Sequence, residues 1–157
     1  MKTYEEFWNE VEALEKKQQE LFDETALEIL GETGNIDRDW LTDLGYYTID
    51  EHLESDAEES FYEMADEKDM KMFTMRGDVD TEGLDWIFVF AGARIEDGKP
   101  IFRYAYTNDD WDTNEWKIKD GITFADMDEG PSHGISKREA ILDLYGLWDD
   151  YNTSKNQ

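Results

Sequence analysis

The segment DWIFVFAGARIEDGKPIFRYAYT, Asp85–Thr107, decides the fold. Two runs rich in β-branched and aromatic residues flank Glu96-Asp97-Gly98-Lys99. The Asp-Gly pair tolerates positive φ at two successive residues, the condition for a tight hairpin whose turn twists with its strands. The pattern therefore predicts antiparallel strands over Asp85–Arg94 and Pro100–Thr107. Along the second strand Ile101, Arg103 and Ala105 alternate with Phe102, Tyr104 and Tyr106, so one face is strongly aromatic. Working outward, Lys71–Arg76 reads as a preceding strand. Glu115–Lys119 and Ile122–Ala125 flank a second Asp-Gly pair, Asp120-Gly121, and read as a further hairpin. The expected sheet has four to five antiparallel strands.

Helical signals bracket the sheet. Thr3 and Glu6 have capping-box spacing, and Phe7, Val11, Leu14 and Leu21 follow at heptad-like steps, interrupted by Gln18 and Thr25. Leu27 and Leu30 extend the helix, and Gly31 is expected to stop it, opening the turn cluster Gly31–Asn35. The main expectation is a long helix packed on its own domain; the alternative is a helix that forms a homodimer. Asp37 caps a short helix carrying Trp40, Leu41 and Leu44, closed by Gly45. Thr48 and Glu51 open a helix expected to run to about Lys68, with Ile49, Leu53, Ala57, Phe61 and Met64 as its buried stripe. Ser136 and Glu139 open the last helix, with Ile135 as a staple toward Ala140 and Ile141, Leu144, Tyr145 and Trp148 facing inward. Helices, an antiparallel sheet and a C-terminal helix make an α+β fold. The chain reads as one domain over residues 1–151 with a frayed polar tail, 152–157, and no internal repeat or linker.

Composition supports a packed core. The 157 residues are 39% hydrophobic and 14% aromatic, far above a disordered acidic tail. Cysteine is absent, which excludes disulfides, thiolate zinc sites and a Cys nucleophile. No apolar run approaches the roughly 18 residues of a membrane span. The polar start MKTYEEFWNEVEALEKK lacks a signal-peptide core, so the expected compartment is the cytoplasm, without membrane contact.

Charge is the outlier, with 41 Asp and Glu against 15 Lys and Arg, a formal net −26. Like charges at this density repel and destabilise the compact state. Ordinary solubility needs a net charge of only about 2–8 in magnitude. Adaptation to high salt fits poorly with a chain in which Lys outnumbers Arg and bulky aromatics abound. A surface that meets a basic partner accounts for the excess.

The acid concentrates first between Ile49 and Asp69, as Asp50, Glu51, Glu54, Asp56, Glu58, Glu59, Glu63, Asp66, Glu67 and Asp69, opposed only by Lys68. On one helix these span roughly 30 Å, about one carboxylate per 3 Å. A single DNA strand carries one phosphate per about 3.4 Å. Like-charge pairs at i,i+4, such as Glu54–Glu58 and Glu59–Glu63, would each destabilise that helix slightly. A second block, Asn108–Trp116, interleaves Asp109, Asp110, Asp112 and Glu115 with Trp111 and Trp116. Aromatic anchors ringed by charge suit an interface; the alternative is a polar loop whose tryptophans fold onto the core. Asp126, Asp128 and Glu129 form a third cluster.

Catalytic and metal patterns fail on inspection. Asp110, Asp112 and Asn114 begin an EF-hand spacing, but Glu115 replaces the required Gly and Gly121 the bidentate Glu. Asp78, Asp80, Glu82 and Gly83 begin another and meet Val89 at position twelve. His52, in the acidic helix, reads as a local charge partner, and His133, beside Ser132, as a loop residue. Glu115-Trp116-Lys117 has the E-x-K form of metal-dependent nucleases, yet net −26 opposes approach to a polyanion. Arg76-Gly77-Asp78 reads as a turn. No catalytic residue, metal site or cofactor is assigned.

In charge, size and helix-borne acid, the chain resembles phage or plasmid DNA-mimic proteins that block restriction or CRISPR enzymes. That resemblance implies a non-catalytic inhibitor of a basic nucleic-acid-binding enzyme that itself binds no nucleic acid. Its partner-binding residues would be Asp50, Glu51, Glu54, Asp56, Glu58, Glu59, Glu63, Asp66, Glu67, Asp109, Asp110, Trp111, Asp112 and Glu115. The alternative is an immunity or antitoxin protein that neutralises a basic toxin; a metal-dependent hydrolase or nuclease ranks below both.

Overall fold

A computed structural model describes residues 1–55, 59–72, 76–79, 85–107, 116–127 and 135–155. The elements run α1 (Tyr4–Thr33), α2 (Arg38–Asp43), β1 (Tyr46–Tyr47), α3 (Ile49–Glu54), α4 (Phe61–Glu67), β2 (Lys71–Met72), β3 (Arg76–Val79), β4 (Asp85–Glu96), β5 (Lys99–Thr107), β6 (Lys117–Ile122), a 3-10 turn at Phe124–Asp126, and α5 (Lys137–Lys155). The fold is α+β, with N-terminal helices, an antiparallel sheet in the order β3-β4-β5-β6 and a C-terminal helix.

The β4–β5 hairpin forms as its turn chemistry dictates. Asp97 and Gly98 hold φ of 52° and 76°, and the pairing runs from Glu96↔Lys99 to Ile87↔Thr107. Phe102 and Tyr104 are buried on one face of β5, where Phe102 meets Phe124 with ring centroids 5.0 Å apart. Phe124 in turn packs on Phe22 of α1 at 5.3 Å, and the Tyr104 hydroxyl donates to Asp143 of α5 at 3.2 Å. Alternation sends Arg103 and Ala105 to the other face, where Arg103 reaches Asp50 of α3. Tyr106 is only half-buried, so the aromatic face grades toward solvent at its end.

Several elements differ from the sequence expectation. Asp120-Gly121 lies inside β6 and makes no turn; the pairing shifts from Phe102↔Ile122 to Tyr104↔Lys119, leaving an extra residue on β6 at Gly121, φ 76°. A G1 bulge demands the same positive-φ glycine as a hairpin, so the dipeptide alone does not separate them. Ile122 ends that strand, Phe124–Asp126 coils into 3-10, and no fifth antiparallel strand forms there. The expected strand Lys71–Arg76 divides: Lys71–Met72 pairs in parallel with β1, and Arg76–Val79 is the edge of the antiparallel sheet. Arg76-Gly77-Asp78 is therefore strand and not turn.

Helix ends are governed by caps. Thr3, Asp37, Thr48 and Ser136 each accept from the backbone N–H three residues on, as their spacing predicts. Gly31 does not end α1; the helix continues to Thr33, and Gly34 at φ 79° terminates it. On α5 the buried residues Ala140, Asp143, Leu144 and Leu147 form one face at steps of three and four, which leaves Tyr145 exposed on the other side; Asp143 on the buried face accepts from Tyr104. The same helix continues through Asn152 to Lys155, whose ammonium sits over the Tyr151 ring, instead of fraying at 152.

Beside the hairpin, β4 carries its own bulge between Phe90 and Gly92. Ile36 bridges to Ala93 there by two backbone hydrogen bonds of 2.8 and 2.9 Å, covering an edge that β3 leaves open. Gly92 has φ 153°, and a Cβ on it would lie 2.7 Å from the Ile36 carbonyl oxygen. Gly92→Ala is expected to lower the unfolding free energy by about 1–3 kcal/mol, since neither backbone has room to yield. Gly31→Ala, in open helical surroundings, is expected to raise it by about 0.5–1 kcal/mol. Urea denaturation of both variants measures the contrast.

Candidate functional site

The acidic row expected along one helix from Ile49 to about Lys68 is broken in two. Ser55, with ψ 146°, ends α3, and Ser60 caps α4 by accepting from the Glu63 N–H at 3.2 Å. The signal is present as Ser60-x-x-Glu63, a capping-box spacing in the middle of the acidic run. Leu53, expected in the buried stripe, is 44% exposed. His52 is the buried residue of that turn. It lies edge-on to Phe61 and Tyr47, with its Nδ1 3.3 Å from the Tyr47 hydroxyl.

The carboxylates of α3 are turned to internal use. Arg103 donates two hydrogen bonds to Asp50, at 2.7 and 2.8 Å, with both side chains about three-quarters buried. Glu51 accepts from the Thr42 hydroxyl at 3.3 Å, and Glu54 pairs with Arg38 at 2.5 Å. Arg38, Arg94 and Arg103 thereby surround one cleft of about 410 Å³, walled by Asn35–Asp37 and Ala91–Ala93. Arg94 is held in turn by Asp120 at 2.8 Å and Glu96 at 2.9 Å. Burial alone would raise the Asp120 carboxyl, but Arg94 and the Gly121 N–H together hold it below the usual carboxylate range. The cleft is thus neutralised by its own carboxylates and ties the loop before α2, α3 and the hairpin together.

On α4 the acids face solvent. Glu63, Asp66 and Glu67 are exposed, and Glu59 shares a hydrogen bond with Glu67 that lifts its carboxyl above the ordinary value. Carboxylate crowds carboxylate there, the opposite of α3, where arginines stand beside the acids. Of the second acidic block, Trp116 alone is described: it is buried, edge-on to Phe61 at 6.1 Å, so this tryptophan belongs to the core and presents no interface anchor. Asp56, Ala57, Glu58, Asp109, Asp110, Trp111, Asp112 and Glu115 lie outside the described residues. The same holds for Asp80, Glu82, Gly83, Asn114, Asp128, Glu129, Ser132 and His133.

The helix with the most carboxylates among the described residues is α1, which the sequence reading takes as a packing helix. Its 30 residues carry ten carboxylates against Lys16 and Lys17. At a rise of about 1.5 Å per residue this is roughly one carboxylate per 4.5 Å over about 45 Å. Glu5, Glu6, Glu12, Glu20, Glu24 and Glu28 are all exposed, and the spacing of most of them places them on the side away from Phe7, Val11 and Leu14. The sequence signal for this surface is a count of acids per unbroken helix, which favours α1 once Ser60 is read as a cap.

No protein-family model matches the chain, and no curated protein or solved structure matches it either. The reading of function rests on the residues themselves. Among the described residues no three His, Cys, Asp or Glu are grouped to hold a metal ion, and no helix is long and apolar enough to cross a membrane.

A double-mutant cycle tests the division of labour among the acids. Asp50→Ala with Arg103→Ala is expected to give a coupling of about 1–2 kcal/mol in urea denaturation, as a bidentate, mostly buried pair. Arg38→Ala with Glu54→Ala, an exposed pair, is expected to give at most about 0.5 kcal/mol.

Proposed function

We propose that this chain is a non-catalytic acidic inhibitor that occupies the basic nucleic-acid site of another protein, acting in the cytoplasm of its host cell. The observation that supports it most is the run of exposed carboxylates on α1, interrupted only by Lys16 and Lys17. Such a row presents charge at a spacing comparable with the phosphates of one strand. The exposed acids of α4 add to the same sign of field, while those of α3 serve the fold. Exposed Glu side chains act as phosphate surrogates in two ways: they pair with Lys and Arg through charge-assisted hydrogen bonds, and their summed field speeds encounter. Residues Glu20, Glu24 and Glu28 are placed at the centre of the contact, since they stand one turn apart where α1 is anchored to the body through Ala26, Ile29 and Leu30.

Affinity capture from the host extract, with the intact chain as bait, tests the reading. A basic nucleic-acid-binding protein is expected to be retained, to be released by salt, and to be displaced by a duplex oligonucleotide. The triple variant Glu20→Lys, Glu24→Lys, Glu28→Lys is expected to lose at least about 100-fold in affinity while keeping its helical circular dichroism. Undiminished capture by the folded variant would defeat the assignment to α1. A complex that still admits the oligonucleotide would defeat mimicry and leave the immunity reading.

A further inference from the structure

The first 18 residues of α1 project from the body with an apolar stripe that no described residue covers. Before Phe22 only Val11 and Gln19 are part-buried; Phe22 is half-buried, and burial is complete at Ala26. Before that point Tyr4 is 77% exposed, Phe7 51%, Trp8 44%, Leu14 67% and Leu21 62%. Tyr4, Phe7, Val11, Leu14, Gln18 and Leu21 follow one another at alternating steps of three and four, which is the seam of a coiled coil. With each aromatic ring or leucine contributing on the order of 100 Å², the stripe amounts to roughly 500 Å² per chain, at the upper end of what a monomer leaves open. Two such stripes with their flanks approach the roughly 1,200 Å² at which specific interfaces begin.

We propose that the stripe is covered by the same stripe of a second copy, in an antiparallel two-helix coiled coil. Three physical features select this occupant and this direction. First, antiparallel pairing sets Tyr4 against the partner's Leu21, Phe7 against the partner's Gln18 and Val11 against the partner's Leu14. The overlap then ends where the body of each chain starts, at Phe22, so the whole exposed segment is used and neither body obstructs it. Second, the flanking charges complement one another only in this direction. Glu10, which pairs with Lys2 in its own chain, meets the partner's Lys17 with its remaining face on one side, twice by symmetry, and Trp8 meets the partner's Glu15 on the other. A parallel pair would instead place Glu10 beside the partner's Glu15 twice. Third, each chain carries net −26. Antiparallel pairing sets the two bodies at opposite ends of about 27 Å of helix, beyond the Debye length of about 8 Å at physiological salt. Parallel pairing would bring them together at one end. The outward carboxylates Glu5, Glu12 and Glu20 stay exposed on both copies, so dimerisation doubles the anionic surface and leaves it open.

Sedimentation velocity of the full chain across about 1–100 μM tests this, independently of any partner. A dimer is expected, and Leu14→Glu is expected to weaken it by at least about 100-fold by placing a charge at the central layer. Because Leu14 is 67% exposed, the melting temperature of the body should stay unchanged. Direction is read from Glu10→Lys: in the antiparallel form it sets a second ammonium against the partner's Lys17, and it is expected to weaken association about three- to tenfold. The same change relieves the parallel form, so unchanged or tighter association overturns the antiparallel arrangement. A chain that remains monomeric at 100 μM, or a Leu14→Glu variant that dimerises undiminished, overturns the proposal as a whole.

Discussion

The pairing of β4 with β5 is the constraint on which the rest of the molecule depends. Because successive residues of a strand point to opposite faces, a single hairpin commits Phe102 and Tyr104 to one layer and Arg103 and Ala105 to another. The first layer accepts α1, α5 and the 3-10 turn through Phe22, Phe124 and Asp143. The second accepts α3 through the Arg103–Asp50 pair. The bulge at Gly92 then opens the strand edge to Ile36, which docks the segment leading into α2. Helices on both faces follow from one turn whose residues tolerate positive φ.

A chain at net −26 must place its charge without breaking the body apart. Two solutions coexist. Where carboxylates approach the sheet they are matched: Arg38, Arg94 and Arg103 hold Glu54, Asp120, Glu96 and Asp50 around one cleft. Elsewhere they crowd onto α1 and α4, facing water, which screens them. Three of the five arginines are thus gathered at the joint between layers, where a planar bidentate donor is worth most. The same partition separates acids available to a partner from acids consumed by the fold.

How much was legible in the sequence differs by element. The Asp97-Gly98 hairpin and the caps at Thr3, Asp37, Thr48 and Ser136 were readable because each is a contract among residues within four positions. Asp120-Gly121 misled because a bulge and a hairpin ask the same backbone geometry of glycine, and only the partner strand distinguishes them. The acidic run misled because helical periodicity continues on paper through Ser55 and Ser60, two residues that compete for the backbone and close one helix before opening the next.

Local chemistry in the sequence by itself determined the α+β class, the central hairpin, the helix starts and the overall negative field. Tertiary structure alone decided which carboxylates are free. Asp50 and Arg103 stand 53 positions apart, and nothing near either one announces that folding will lock them together. It also decided that the first half of α1 leaves the body, because whether an apolar stripe is covered depends on where distant layers end. Charge is written residue by residue, but its availability is a property of what packs beside it.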